Sequence, residues 1–256
     1  MGIYTNIERY AFYLPEASIG YETEDYLADK YPSVDCDLTI NACVLPNPDL
    51  IAAILHLEDN QSLYAGEVLL ARKGDGTETI NFTGTKLIIV EERWDMFQKN
   101  AAALDLDFIQ ATEGRKTQTL SPTNLLIGPN NKLFIEEGAS IEGCTLNTKD
   151  GPIYVGEDAI IMEGSMVRGG LALNAHATIK MGAKIYGATT IGPHCKVGGE
   201  VNNVIFQAYS NKGHDGFLGN SLIGDQLYGG SKKISTGEGA ILKLARKFGR
   251  QAVHAE

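Results

Sequence analysis

Eight aliphatic residues stand six apart without a break: Val155, Ile161, Val167, Leu173, Ile179, Ile185, Ile191 and Val197. Four residues after each comes a second series, Ala159, Ser165, Leu171, Ala177, Ala183, Thr189, Cys195 and Val201, mostly small. A period of six matches neither the 3.6 of a helix nor the 2.0 of a single strand. It is the hexapeptide repeat of a parallel β-helix, in which each hexad supplies a short strand and a corner, and three hexads close a coil of ~18 residues. The aliphatic residue points inward and stacks on its equivalent in the next coil. The small residue fits the narrow corner beside it. With about a third of residues aliphatic, eight in step is roughly a one-in-thousands event. Ile135 and Ile141 extend the series upstream, and Ile205, Leu222 and Ile223 extend it downstream. Thr148–Pro152 breaks the register, as a loop pushed out between coils would. The spacing predicts about five triangular coils over 127–224.

Glycine follows the same division. Residues 1–126 hold 7 glycines, 127–224 hold 17 and 225–256 hold 5. The first part instead reads as mixed α/β. Asn47-Pro48 opens a helical pattern, with asparagine as cap and proline at the first helical position. Glu67–Ala71 and Lys86–Val90 have strand character, with a turn at Lys73-Gly-Asp-Gly76. Glu91–Leu104 reads as a helix, with Trp94, Phe97, Ala101 and Leu104 at helical spacing. Thr117–Asn124 reads as a linker. The chain is expected to divide into an α/β domain over 1–124, a β-helix over 125–227 and a basic amphipathic tail helix over 228–256. That tail carries six Lys or Arg against two Glu. It is expected to pack on the open end of the coil.

Composition narrows the function. The chain has 256 residues and a formal charge of −10, a poor match for nucleic-acid phosphates. No apolar run reaches the ~18 residues of a membrane helix. Cys36, Cys43, Cys144 and Cys195 show no paired spacing and read as reduced thiols of a cytoplasmic protein.

The segment Asn211-Lys-Gly-His-Asp-Gly-Phe-Leu-Gly-Asn-Ser-Leu-Ile-Gly224 interrupts the hexads. It resembles the K-x-G-H-x-x-(Y/F)-L-G-(D/N)-x-x-I-G stretch of the hexapeptide-repeat transferases. Thr23-Glu-Asp-Tyr-Leu27, Ile40-Asn-Ala42 with Pro46-Asn-Pro48, and Gly198-Gly-Glu-Val-Asn-Asn203 extend the resemblance. Together they make the chain similar to sugar nucleotidyltransferases of the kind related to the bifunctional N-acetylglucosamine-1-phosphate uridyltransferase/glucosamine-1-phosphate acetyltransferase. The resemblance covers roughly residues 7–227. It implies a left-handed coil and a homotrimer with active sites between neighbours. It implies a sugar-phosphate transferase of the nucleotidyl/acyl type, acting on sugar phosphate and nucleotide small molecules. Acetyl-CoA, and Mg²⁺ with a nucleoside triphosphate, are the co-reactants it implies. His214 would be the general base of acetyl transfer, with substrate contacts at Asn203, Lys212 and Phe217. Asn203–Gly219 is expected to project from the coil.

Several positions depart from that family. Its lysines for sugar phosphate fall at Asn202 and Asn203, which carry no charge. Its tyrosine falls at Phe217, which has no hydroxyl. The Gly-rich G-G-x-G-T-R-L nucleotide loop is missing, and a lost N-terminal piece is the expected reason. Asp105 and Asp107 are weighed as Mg²⁺ ligands and read as solvated carboxylates. His176 and His194 lie one coil apart and should stack. Trimeric β-helix carbonic anhydrases need a third histidine and an H-x-x-x-x-H spacing, so these two read as surface residues. The alternative to an enzyme is a non-catalytic trimeric scaffold derived from such a transferase.

Overall fold

The computed structural model describes residues 1–224 and the backbone of 252–254. The chain forms two compact units, one of Tyr4–Val90 and one of Met1–Ile3 with the chain from Glu91 onward.

In the first unit, α1 (Asn6–Tyr13) starts at a capping box. Thr5 Oγ1 accepts from the Glu8 N–H, and the Glu8 carboxylate accepts from the Thr5 N–H. α2 (Pro48–Leu55) opens as its sequence predicts, with Asn47 Oδ1 accepting from the Leu50 N–H at 2.8 Å. Four strands follow the order β1 (Leu38–Ile40), β3 (Val68–Lys73), β2 (Gln61–Ala65), β4 (Glu78–Asn81). β2 and β4 are parallel and the other pairs antiparallel. Val44, Leu50, Ile54, Leu57, Leu63 and Leu70 form the core. The strand expected over Lys86–Val90 makes only a bridge between Val44 and Ile89.

The second unit contains the coil. Its first face stacks Leu125–Ile127, Thr145–Asn147, Met166–Arg168 and Lys184–Tyr186. Its second stacks Leu133–Ile135, Ile153–Val155, Leu171–Leu173 and Thr189–Ile191. Two longer strands, Glu200–Phe206 and Phe217–Ile223, turn from the first face onto the second. The third face stacks Ser140–Ile141, Ile160–Ile161, Thr178–Ile179, Lys196–Val197 and Asn211–Lys212. All these pairs are parallel, and each strand pairs with its equivalent one coil on. That wiring is a parallel β-helix. All sixteen residues of the two sequence series are buried, the eight aliphatics at 2% exposure or less. Each such side chain contributes about 1.5–3 kcal/mol of burial.

The coil period is 18 from Ile153 to Lys196, as in Leu171 opposite Thr189. It is 20 or 21 across the Thr148–Pro152 insertion and falls to 16, 15 and 17 afterwards. The stretch Asn203–Gly219 therefore does not project. It leaves the six-residue rhythm by making shorter coils. The shortening also corrects two inward assignments. Ile205 and Leu222 face outward, and Val204 and Phe206 fill the interior, with Ile223 packed against it.

Three columns of corners carry the turns. The third-face corner uses glycine throughout: Gly143, Gly164, Gly182, Gly199 and Gly216, all with positive φ. The second-face corner uses side chains in the same left-handed region: Asp158 (φ 52°), His176 (57°), His194 (59°) and Tyr209 (50°). Asp and His tolerate this conformation better than most residues. The rings stack in turn, His176 on His194 and His194 on Tyr209, each at 4.8 Å between centroids.

The expected helix over Glu91–Leu104 is two, α3 (Asp95–Gln98) and α4 (Asn100–Thr112), broken at Lys99. They cover the second face. Phe97 packs with Ile205 and Leu222. Asn100 Nδ2 donates to the Ala188 carbonyl at 2.7 Å. Met1–Ile3 lies there too: the Gly2 N–H donates to Asn100 Oδ1 and the Ile3 N–H to Asp107 Oδ2, at 2.6 and 2.7 Å. Asp107 is therefore a buried acceptor, and the expectation of a solvated carboxylate fails for it. These contacts hold α3 and α4 in the coil unit, so the unit boundary lies at Val90, where the sequence reading drew it at 124. The expected linker Thr117–Asn124 is fastened to the first coil. Thr117 Oγ1 accepts from the Ile135 N–H, and Asn124 Oδ1 accepts from the Cys144 N–H. It shields strand edges that would otherwise be open.

The tail helix expected over 228–256 lies outside the described residues, except at Ala252–His254. Those three form an antiparallel strand on Phe217–Ile223, where the sequence predicted helix. The unpaired outer edge of the last strand accepts a β partner through its backbone alone, whatever the side-chain pattern.

Ile179 is fully buried in the middle of the third-face column. Ile179→Asp is expected to cost about 4 kcal/mol or more by burying an unpaired carboxylate. Chemical denaturation followed by circular dichroism reads this as a lost or strongly shifted transition, whereas Ile179→Val should cost only about 1 kcal/mol.

Candidate functional site

The residues singled out in the sequence lie on the last two coils, and the coil brings together only some of them. His214 and Asp215 are exposed at the third-face corner, between Asn211–Lys212 and Phe217–Ile223. Phe217 opens the next first-face strand with its ring 47% exposed. Its side chain passes over Gly219, where a Cβ would meet the ring at 2.6 Å. His214 and Phe217 thus flank one corner.

Asn203 is elsewhere, at the corner between the first and second faces, with φ 56°. Asn220 stacks on it one coil later with φ 44°, and the two side-chain amides pair at 2.9 Å. Gly187 lies beneath, and a Cβ there would come within 2.9 Å of the Asn203 nitrogen. Asn203 serves the turn, across a full strand from His214.

Lys212 points into the coil. Its register places it opposite Val197, in the column that Ile161 and Ile179 occupy lower down. It is 6% exposed. Its ammonium donates to three carbonyls, Gly198 at 2.7 Å, Gly216 at 2.9 Å and His214 at 3.0 Å. All three donors of an ammonium are then used. Burial pushes the Lys212 pKa down, and the charge of Asp215 opposes that shift. Lys212 thus ties both ends of the corner that presents His214. Gly199, with φ 75°, leaves the room for it, since a Cβ there would lie 2.9 Å from Lys212 Nζ.

Among the described residues no group of three His, Cys, Asp or Glu side chains is arranged to hold a metal ion. Asp105 is exposed, whereas Asp107 is committed to the Ile3 N–H, so the two do not form a Mg²⁺ pair. No disulfide joins the four cysteines, Cys36 and Cys43 being exposed, Cys144 and Cys195 buried. No helix among the described residues is long and apolar enough to cross a membrane.

Lys180 reaches the same end of the coil from 33 residues upstream of Gly213. The signal was available in the coil arithmetic: one coil of 18 and one of 15 separate the two positions.

Lys212→Met should lower stability by about 1–3 kcal/mol, because buried carbonyls lose their donor. Urea melts would read this as a lower midpoint. A midpoint equal to or above that of the unsubstituted chain would mean that water satisfies those carbonyls.

Residues 1–116 match the model of a family described as sugar nucleotidyl transferase. The match spans the four-stranded unit with α3 and α4 and stops before the first coil. A search of curated proteins found no match to this chain.

Proposed function

We propose that the chain is a sugar-phosphate transferase of the nucleotidyl/acyl type, working in nucleotide-sugar biosynthesis. The observation that carries this reading is a pairing within one chain. Residues 1–116 match a sugar nucleotidyl transferase family, and a parallel β-helix follows with an exposed histidine at its distal corner. The finer features belong to the same proposal: a left-handed coil, a homotrimer, and kinship with the bifunctional uridyltransferase/acetyltransferase. Apolar side chains left exposed on the first face, Leu125, Met166 and Phe217, support assembly through that face.

In the acyl half-reaction, the neutral imidazole of His214 takes a proton from the amine of a hexosamine phosphate. The amine nitrogen attacks the thioester carbonyl of acetyl-CoA. The amide bond forms, the carbon–sulfur bond breaks, and the thiolate leaves and is protonated. An imidazole within reach of the amine is a common general base for this exchange. Lys212 holds the His214 and Gly216 carbonyls and so fixes the backbone on both sides of the base.

The second reading is a non-catalytic trimeric scaffold. It is favoured by the uncharged Asn202 and Asn203 and by the inward Lys212, none of which presents a cation to a phosphate.

Release of CoA thiol from acetyl-CoA and glucosamine 1-phosphate separates the two. As a transferase, the chain turns over, and His214→Ala lowers kcat by about 10²–10⁴ with the circular dichroism unchanged. As a scaffold, it shows no acetyl-CoA binding by calorimetry, and the substitution changes nothing. Light scattering is expected to give three times the 27.6 kDa chain mass in either case; a monomer would remove the trimer from both.

A further inference from the structure

Met1–Ile3 belongs to the coil unit, although the chain leaves that unit at Tyr4 and re-enters it at Glu91. The segment occupies a groove between α4 and the second face. Side chains take every backbone polar group of its last two residues. The Gly2 N–H donates to Asn100 Oδ1 at 2.6 Å, and the Gly2 carbonyl accepts from Thr190 Oγ1 at 2.9 Å. The Ile3 N–H donates to Asp107 Oδ2 at 2.7 Å, and the Ile3 carbonyl accepts from Asn174 Nδ2 at 3.1 Å. Asn100, Asp107 and Thr190 are buried. The Met1 side chain packs on Phe97, Ile205 and Leu222. Gly2 is itself buried, with φ 67°, in the left-handed region where a β-branched residue is an outlier.

None of the three residues lies in a strand or helix, so no ladder ties the segment to the coil. The walls of the groove hold each other without it. Asn100 Nδ2 donates to the Ala188 carbonyl at 2.7 Å, and Phe97 packs with Ile205 and Leu222. We propose that this groove is a peptide-binding site and that Met1–Ile3 is its ligand in cis, a strap that docks and releases as one piece. The groove reads the peptide backbone through four hydrogen bonds and an apolar first side chain through Phe97, Ile205 and Leu222. It reads glycine second, because glycine takes a positive φ at no steric cost. Docking orders three residues; in return it buries Met1 and Ile3 and makes those hydrogen bonds, terms of opposite sign and similar size. Release is therefore a local opening, far cheaper than unfolding the coil. Because Tyr4 follows Ile3 directly, the docked strap gives the Tyr4–Val90 unit a second point of attachment to the coil unit, besides its link through Glu91.

Gly2→Val in the full chain tests the strap. Valine at that φ should disfavour docking by about tenfold or more and leave the groove open. Thermal melts followed by circular dichroism should show a folded chain with its midpoint lowered by about 2–8 °C. Calorimetry then titrates the peptide Met-Gly-Ile-Tyr amide. It should bind the Gly2→Val chain at least about tenfold more tightly than the unsubstituted chain, whose own strap competes at an effective concentration on the order of millimolar. The peptide Met-Val-Ile-Tyr amide should bind about tenfold more weakly than the first. Thr190→Val, added to Gly2→Val, should weaken the first peptide about fivefold or more, because the Gly2 carbonyl loses its donor. Equal or undetectable binding of the first peptide to the two chains overturns the strap. Loss of the folded transition in Gly2→Val does the same, since the segment is then an integral part of the core. Unchanged affinity after Thr190→Val puts the peptide elsewhere and overturns the groove.

Discussion

No strand on the third face of the coil exceeds two residues, so none is stable by its own ladder. What holds them is the inward stack, Ile141 under Ile161 under Ile179 under Val197, each one coil above the last. The stack works only while the register holds, because a slip of one residue turns the aliphatic outward. Corners enforce that register. Each demands a residue with positive φ at a fixed place, and the chain supplies glycine at one column and Asp, His and Tyr at another. Side-chain period and corner chemistry therefore specify the same coil independently. That agreement between levels is what makes a single structure the outcome.

The same logic explains what the sequence revealed and what it hid. The regular coils were legible because the period of six is global and needs no knowledge of contacts. The stacking of His176 and His194 was legible for the same reason, being one coil apart. Ile205 and Leu222 were misread because the period shortens from 18 to 15 there, and nothing in local composition marks the shift. Both are aliphatic, and both are buried, but under Phe97 on the outside of the coil. Hydrophobicity alone does not distinguish an interior position from a covered exterior one. The contacts that draw α3 and α4 into the coil unit were hidden by the same mechanism. Nothing local in Asn100, Asp107 or Gly2 announces that they meet on the second face across a hundred residues of chain.

At the candidate site the legible part was the corner and the hidden part was its charge. His214 was found from a motif that interrupts the hexads, and it is exposed as that motif implies. Lys212 lies two residues away, and the family resemblance implies a substrate contact there. Proximity along a strand reverses direction at every residue, because neighbours face opposite sides. With Lys212 opposite Val197, its ammonium must find partners inside, and the corner carbonyls are the ones within reach. Lys180 was invisible for the opposite reason, distant in sequence but in the adjoining column of the same face.

These placements have one consequence for how such a site works. A buried lysine below the corner and an outward lysine beside it face opposite sides of the same coil end. Lys212 spends its donors on backbone and makes the corner rigid, which fixes where the His214 imidazole starts from. Lys180 has no ion-pair partner among the described residues. The shortened coil is what permits both. With 15 residues in place of 18, Asn211 and Gly213 come into register with Lys196 and Gly198, and the Lys180 side chain lies over the two glycines. Restoring the lost three residues would slide Asn211, Gly213 and His214 off that register together. The irregularity that breaks the repeat is thus the feature that assembles the site, and the regular coils beneath it supply the fixed frame on which a small change of period has a defined effect.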